Sequence, residues 1–578
     1  MFKVYKSLGW FFKQEWKSYL MMAIMLVILS ILPTIPANLL GRAIDLIVNG
    51  NINSSSLFLL VALLSGVPLF GYVVNYIYHY LINAEGHKLT FLLRHNYLEH
   101  LFELDAKNYE QYTKGDLISR VTNDMYGLTN AATGLLQTIV YNSGVIIFTV
   151  SIMFFTISWE LTLITMAIMP ISIFILTILR QRMRKYYVKH RVIYSEMQEK
   201  VLETIEGIRT LKAYTQEEND FKKLKVAIDN DIKSWSYILK FEALFAPLFE
   251  FVYAISYFLA FAVGTYYVIN SKISVGDLVT FTMYIGTLFG PLAAIGGVLG
   301  SVNNSVIAND RYQEIIKLKP EVTDLEDSKR ICKFEKIEFR NVSFKYPFDR
   351  HCVIKDINIV INKGETIGIV GPTGAGKSTL IRQLLRDYNI TKGDIYIDDE
   401  PIENYKIEDV RNLVGYVPQS HFLFKGRVDE NIIIGNEGAT IENVEKALEV
   451  SDFKKDLQFL SQGLNTMVGE FGSTLSGGQR QRLSIARALI KDPQILILDD
   501  SLSAVDATTE QTILKNLKET RQDKTNIIVA HRFSAIKDSD KIIVLEKGRI
   551  TQMGTHEELL AQDGWYKDQY IRQTSMPE

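Results

Sequence analysis

Thr366-Ile367-Gly368-Ile369-Val370-Gly371-Pro372-Thr373-Gly374-Ala375-Gly376-Lys377-Ser378-Thr379 is a short apolar run that enters a glycine-rich turn and ends in a lysine and two hydroxyls. The first five residues read as a buried strand. Leu380, Ile381, Leu384 and Leu385 follow at the spacing of a helix face. Strand, glycine loop and helix in that order form the context that a P-loop requires. Glycines let main-chain N–H groups surround phosphates, and the helix N-terminus favours negative charge. Lys377 is placed for the β- and γ-phosphates and the Ser378 hydroxyl for Mg²⁺. Gly371, Pro372, Thr373, Gly374, Ala375, Gly376, Lys377, Ser378 and Thr379 are therefore the expected nucleotide-binding loop of an α/β domain.

Other pieces of the same chemistry stand around it. Ile495-Leu496-Ile497-Leu498 reads as a second buried strand with Asp499 at its end, placed to hold a metal ion, and Asp500 follows where a hydrolase needs a base to orient water. Gln419, in Tyr416-Val417-Pro418-Gln419, is a candidate for Mg²⁺ and for sensing the γ-phosphate. His531, after Asn526-Ile527-Ile528-Val529-Ala530, is a candidate hydrogen-bond donor to that phosphate. Tyr346, just before Pro347, reads either as a platform for a nucleobase or as an ordinary strand aromatic. Ile337 and Phe339, then Val342, Phe344 and Tyr346, alternate as strands that open the domain, and the polar stretch Pro320–Ser328 before them reads as a linker.

The first half has a different composition. Six apolar segments near 19–40, 57–83, 134–158, 160–179, 243–269 and 276–300 each approach the ~20 residues needed to cross a bilayer. Pro33, Pro36, Pro68, Pro170, Pro247 and Pro291 lie within them, where neighbouring helices can re-satisfy the backbone. Leu8–Lys17 mixes Trp and Lys as a helix in the bilayer interface does, and does not read as a cleavable signal. The long connections after segments two and four carry the positive charge, with Arg180, Arg182, Arg184, Lys185, Lys189 and Arg191 in one cluster. The positive-inside rule then puts these connections, and with an even number of spans both termini, in the cytoplasm. Leu89, Leu93, Tyr97 and Leu101, and later Val201, Ile205 and Ile208, recur at helical spacing. Helical arms of ~25 residues would reach roughly 35 Å past the membrane, far enough to touch a soluble domain.

Length and charge bound the rest. A chain of 578 residues exceeds a single core, and a formal charge of −2 argues against nucleic acid as a partner. Cys332 and Cys352 offer neither a disulfide framework nor zinc spacing. The expected organisation is a membrane domain over 1–318 with two long cytoplasmic loops, a linker over 319–332 and a nucleotide-binding domain over 333–578.

With these residues in view, the second half resembles an ATP-binding-cassette (ABC) domain. Leu475, Ser476, Gly477, Gly478 and Gln479 match its signature motif, and Ser503-Ala504-Val505-Asp506 its D-loop. The whole chain is similar to a half-transporter of the type IV ABC exporters, and most to one subunit of the heterodimeric bacterial multidrug exporters. Thr466–Gly472 is similar to that family's X-loop, Gly115–Asp124 to its first coupling helix and Glu206–Tyr214 to its second. The resemblance implies ATP and Mg²⁺ as ligands and head-to-tail cassettes, with each ATP lying between one chain's P-loop and the other's signature. It also leads one to expect Glu at position 500. Asp500 departs from that pattern and implies a slow site, and so pairing with a different, homologous chain. Export across the plasma membrane is expected over import, because the membrane and ATPase parts are fused with the membrane part first. No capture or peptidase domain is recognisable. Tyr72, Tyr76, Tyr80, Phe245, Phe249, Tyr253, Tyr257 and Phe281 suit flat hydrophobic or amphipathic substrates, and equally suit helix packing. Glu250, between Phe249 and Phe251 in the fifth segment, is the candidate substrate contact. A lipid or lipopeptide flippase and a regulatory cassette protein that transports nothing are the other readings.

Overall fold

The computed structural model describes residues 2–50, 53–347, 349–469 and 472–575; within these, some helical side chains, Phe245 and Phe249 among them, are not described. Two compact units result: Met1–Leu101 with Lys114–Lys317, and Phe102–Thr113 with Leu318–Glu578.

The first unit is helical throughout. Five stretches among the described residues are long and apolar enough to cross a membrane: Trp16–Val48, Ser54–Glu103, Lys114–Ile157, Glu250–Ile269 and Val275–Ile316. The remaining expected span, 160–179, is helical backbone within Trp159–Met166 and Ile168–Glu206, and several of its side chains lie outside the described residues. Proline acts according to position. The first span breaks at Pro33 between Trp16–Ile31 and Thr34–Val48, whereas Pro68 and Pro291 sit inside continuous helices. Leu89, Leu93 and Tyr97 are buried on the extension of Ser54–Glu103, as their spacing predicts. The second loop differs. Gly207 interrupts the helix, and Ile205 and Ile208 are 64% and 40% exposed.

One helix junction in this unit is built for close approach. Asp45 accepts hydrogen bonds from the Ser274 hydroxyl at 2.7 Å and the Gly276 N–H at 2.7 Å, so it caps the helix Val275–Ile316 from the neighbouring helix Thr34–Val48. A Cβ on Gly276 would lie 2.1 Å from the Gly41 carbonyl oxygen, and one on Gly41 would lie 1.9 Å from Thr280 Oγ1. Only hydrogen fits at either position, which lets the two backbones touch.

The second unit is α/β. Strands β1 (Lys336–Phe344), β2 (Ile354–Asn362), β4 (Lys392–Ile397) and β5 (Glu400–Pro401) form an antiparallel sheet in the order β2-β1-β4-β5. β3 (Thr366–Val370), β6 (Val414–Val417), β9 (Ile495–Asp499), β10 (Thr525–Val529), β11 (Lys541–Glu546) and β12 (Arg549–Gly554) form the second, in the order β12-β11-β3-β10-β9-β6. Only the β11–β12 edge of that sheet is antiparallel. A short β7–β8 pair, Gly426–Arg427 with Met467–Val468, completes the strands described. β3, β9 and β10 are buried nearly throughout, which is why they read as continuous apolar runs. The change of parity in β1, from Ile337 and Phe339 to Val342 and Phe344, is a β-bulge: the register shifts between Phe339 and Val342, and Asn341 takes φ +50°.

Phe102–Thr113 lies inside the stretch 1–318 that the sequence assigns to the membrane domain, yet it clusters with the α/β unit. Asp105 caps the short helix Ala106–Glu110 and also accepts from the Glu321 N–H at 2.6 Å. Tyr388 donates to Glu110 at the other end of that helix.

Candidate nucleotide-binding site

Strand register gathers the expected residues at one edge. Val529 of β10 pairs with Ile369 of β3 on one side and with Asp499 of β9 on the other, and Val417 of β6 pairs with Leu498. The loops carrying Gly371, Asp500, His531 and Gln419 therefore leave adjacent parallel strands at their carboxyl ends, where open α/β sheets bind ligands.

The P-loop glycines serve distinct needs. Gly371 has φ +152°, and a Cβ there would lie 2.0 Å from the Leu545 carbonyl oxygen. Gly376 caps the helix Lys377–Leu384 with φ +101°, and Gly374 has φ +81° with open space around it. Lys377 bends back over the loop and donates to the carbonyls of Gly371 at 2.8 Å and Pro372 at 3.2 Å. Burial lowers its pKa from the ordinary lysine value, against the opposing pull of Asp500 and Asp499.

Asp499 is 2% exposed and accepts from Ser378 Oγ at 3.0 Å and from the Tyr416 hydroxyl at 3.3 Å. Burial pushes its carboxyl above the ordinary value; the two hydrogen bonds and Lys377 pull it down, and Asp500 adds to the rise. A divalent cation beside it would reverse that shift. Among the described residues no group of three or more His, Cys, Asp or Glu forms a metal cage. Ser378 and Asp499 set two oxygens side by side, and Mg²⁺ would take one or two such protein oxygens and complete its shell with water and phosphate.

Asp500 sits at φ +49° and its N–H donates to the Val529 carbonyl at 2.9 Å. Its carboxylate accepts from Gln419 Nε2 at 3.3 Å. Asp500 and His531 line one cavity of about 120 Å³ together with Ser501, Ser503 and Glu510. Tyr346 donates to or accepts from Thr379 Oγ1 at 3.1 Å, and its ring meets Phe344 and Tyr388 edge-on.

The signature lies elsewhere. Ser476 caps the helix Gly477–Leu489 in a reciprocal box with Gln479, accepting from its N–H at 3.3 Å while its own N–H donates to Gln479 Oε1 at 2.9 Å. Leu475 is buried and anchors the turn. No hydrogen bond among the described residues joins Leu475–Gln479 to the P-loop; the nearest atom to a Cβ on Gly477 is Ala504 of the D-loop, at 3.9 Å. Of the expected X-loop, Glu470 and Phe471 fall outside the described residues.

What supports this helix carries no motif in the sequence. Arg482 makes a paired contact with Asp456, Nε to Oδ2 at 2.7 Å and Nη2 to Oδ1 at 2.8 Å, and Gln479 Nε2 reaches the same carboxylate at 3.4 Å. Both charged side chains are under 10% exposed. Asp456→Ala would strand the Arg482 guanidinium in the interior, with an expected loss of about 3–5 kcal/mol in the stability of this unit. Denaturant unfolding checks this, and an unchanged midpoint would count against it.

Known proteins resemble this chain along nearly its whole length. A family model described as ABC transporter transmembrane region matches residues 18–292, and one described as ABC transporter matches 354–503. The probable multidrug resistance ABC transporter ATP-binding/permease protein YheI of Bacillus subtilis is 36% identical over 573 residues, 99% of this chain and 98% of its own. The chain belongs to the ABC exporter family. Its half-transporter architecture, a membrane region followed by an ATP-binding domain, extends over other relatives. The multidrug resistance-like ATP-binding protein MdlA of Escherichia coli is 31% identical over 98% of this chain and 96% of its own. A solved bacterial Atm1-family ABC exporter with ATP bound superposes with a TM-score of 0.81 at 26% identity, covering 96% of this chain and 98% of that one. This half-transporter is thus a multi-pass membrane protein whose ATP-binding domain drives transport by ATP hydrolysis.

Proposed function

We propose that this half-transporter exports hydrophobic or amphipathic compounds, drugs among them, from the cytoplasm across the plasma membrane as one half of a heterodimer. The observation that carries the two-chain reading is the contrast between its glycines. Gly371 and Gly376 have neighbours 2.0–3.0 Å from an added Cβ, whereas Gly477 and Gly478 have nothing nearer than 3.4 Å and no positive φ. The chain's own packing does not require glycine in the signature. A phosphate and a second P-loop arriving from outside would. Ile205, Ile208 and Tyr214, exposed around the second expected coupling helix, support a partner on that side as well.

In this reading Tyr346 stacks on adenine, Gly371–Thr379 wrap the phosphates, and Ser378, Gln419 and Asp499 take Mg²⁺. Asp500 orients water, and His531 bonds the γ-phosphate. Asp500 is the reason to favour two different chains: two copies of this one would carry two short carboxylates, while a homologous partner with Glu would supply one fast site. The cluster from Arg180 to Arg191 supports cytoplasmic termini and a cytoplasmic ATP-binding domain. The multidrug resistance designations of the relatives YheI and MdlA support multidrug substrates. Isolating the native complex tests the pairing directly. If the purified chain alone forms a dimer with brisk ATPase activity, the heterodimer is wrong.

Glu250 is exposed at the first residue of the apolar stretch Glu250–Ile269. As a cation-attracting contact, it predicts that Glu250→Gln weakens transport of cationic dyes more than of neutral ones in membrane vesicles. An equal loss for both would leave it a structural role.

A further inference from the structure

The turn that carries His531 is held from two sides in alternation. Inward, the buried carboxylate of Glu510, 1% exposed, accepts from Ser534 Oγ at 2.5 Å and from Arg532 Nη1 at 3.4 Å. Outward, the main chain at the intervening positions is bridged by one side chain from the last helix described, Trp565–Ser575. Gln573 Nε2 donates to the His531 carbonyl at 2.8 Å, and Gln573 Oε1 accepts from the Phe533 N–H at 3.3 Å. A single amide thus satisfies a donor and an acceptor on either side of Arg532, as an added strand would. The same helix is seated by aromatic packing. The Phe533 ring, 4% exposed, lies 4.9 Å from Tyr566 and 5.7 Å from Tyr570, both close to perpendicular, and 6.3 Å from Trp565.

We propose that Gln573 is a positioning residue for His531, so that the last helix of the chain sets where this histidine meets the nucleotide. The inference rests on the reading that His531 bonds the γ-phosphate. The physical reason is that β10 ends at Val529, and His531 then lies in a turn whose carbonyl at 531 and N–H at 533 find their partners only on Gln573 among the bonds described, while the Phe533 carbonyl accepts from the Ile536 and Lys537 N–H groups. Packing of Phe533 fixes where the turn is; the amide bridge fixes how its peptide planes are rotated, and hence where the imidazole can reach. A carboxylate at 573 could still accept from the Phe533 N–H but would face the His531 carbonyl with no donor. A leucine would keep the volume and make neither bond.

The test is nucleotide discrimination in the purified full-length chain, read by displacement of a fluorescent ADP with unlabelled ADP and with an ATP analogue that has a non-hydrolysable β–γ bridge. Turnover does not enter this measurement. Losing one hydrogen bond to a charged phosphate, His531→Ala should cut the preference for the ATP analogue over ADP roughly tenfold. Gln573→Leu and Gln573→Glu should each cut it by about threefold, with ADP affinity and the unfolding temperature unchanged, since the P-loop and the Phe533 packing remain. If His531→Ala lowers the preference and both Gln573 variants do not, the positioning role is overturned while the role of His531 stands. If Gln573→Leu weakens ADP and analogue equally, the residue only supports the fold, and the proposal is likewise overturned. If His531→Ala itself changes nothing, the γ-phosphate reading falls and takes this inference with it.

Discussion

Asp500→Glu is expected to raise ATP hydrolysis at this chain's own P-loop site about 100-fold. The carboxylate of Asp ends one C–C bond short of that of Glu, ~1.5 Å further from an attacking water if the backbone is held. In-line phosphoryl transfer depends on placement, and a misplacement of about 1 Å costs ~100-fold. The surroundings hold the backbone well: the Asp500 N–H is bonded to Val529, and its carbonyl accepts from Ser503 Oγ at 3.0 Å. The main chain at 500 is left-handed, φ +49°, a conformation that Asp tolerates better than longer side chains. The exchange therefore costs a little backbone strain, of order 1 kcal/mol, while restoring reach. Single-turnover hydrolysis in the assembled transporter, with the partner's site silenced, measures it. A rate that does not rise would mean that Asp500 already reaches the water and that the asymmetric reading is wrong.

Gly478→Asp is expected to reduce steady-state turnover of the assembled transporter more than 100-fold while leaving the fold intact. Room for a side chain exists: the nearest atoms to an added Cβ are the Ala504 carbonyl oxygen and Arg482 Nη1, both at 3.4 Å. A carboxylate in the first turn of a helix is mildly favourable, so stability should hold or rise. Against a triphosphate the same charge is repulsive and bulky. Ser476→Ala is a less clean probe, because the hydroxyl also caps its helix and its loss costs about 1 kcal/mol. By contrast Asp500→Asn should lower turnover less than threefold, since the site it alters already contributes little. The two sites can be separated in one molecule. With Gly478→Asp blocking the partner's site, adding Asp500→Glu should bring turnover back through this chain's own P-loop. If Asp500→Asn is as damaging as Gly478→Asp, Asp500 is a working base.

The sequence alone determined those parts whose geometry is local. A strand, a glycine loop and a helix within Thr366–Leu384 have one way to fold, and the phosphate-facing residues follow from it. The unbroken apolar runs of β9 and β10 read as buried strands, whereas their parallel pairing, and the bulge that joins Ile337–Phe339 to Val342–Phe344 in the single strand β1, came from the structure. Apolar length marked five of the six expected membrane helices in the same way. What only the tertiary structure decided are meetings between residues far apart in the chain. Asp456 under Arg482, Asp45 on Gly276, and Gln573 across the His531 turn carry no periodicity or motif, since each is a lone polar residue whose partner is chosen by packing. The assignment of Phe102–Thr113 to the α/β unit belongs with them. A helix of fifty residues, Ser54–Glu103, carries the chain continuously up to that segment, and nothing in its composition marks where one unit yields to the other. Local sequence fixes dihedral angles over a few residues; the pairing of distant polar groups depends on the desolvation that the assembled core imposes, which no short stretch encodes.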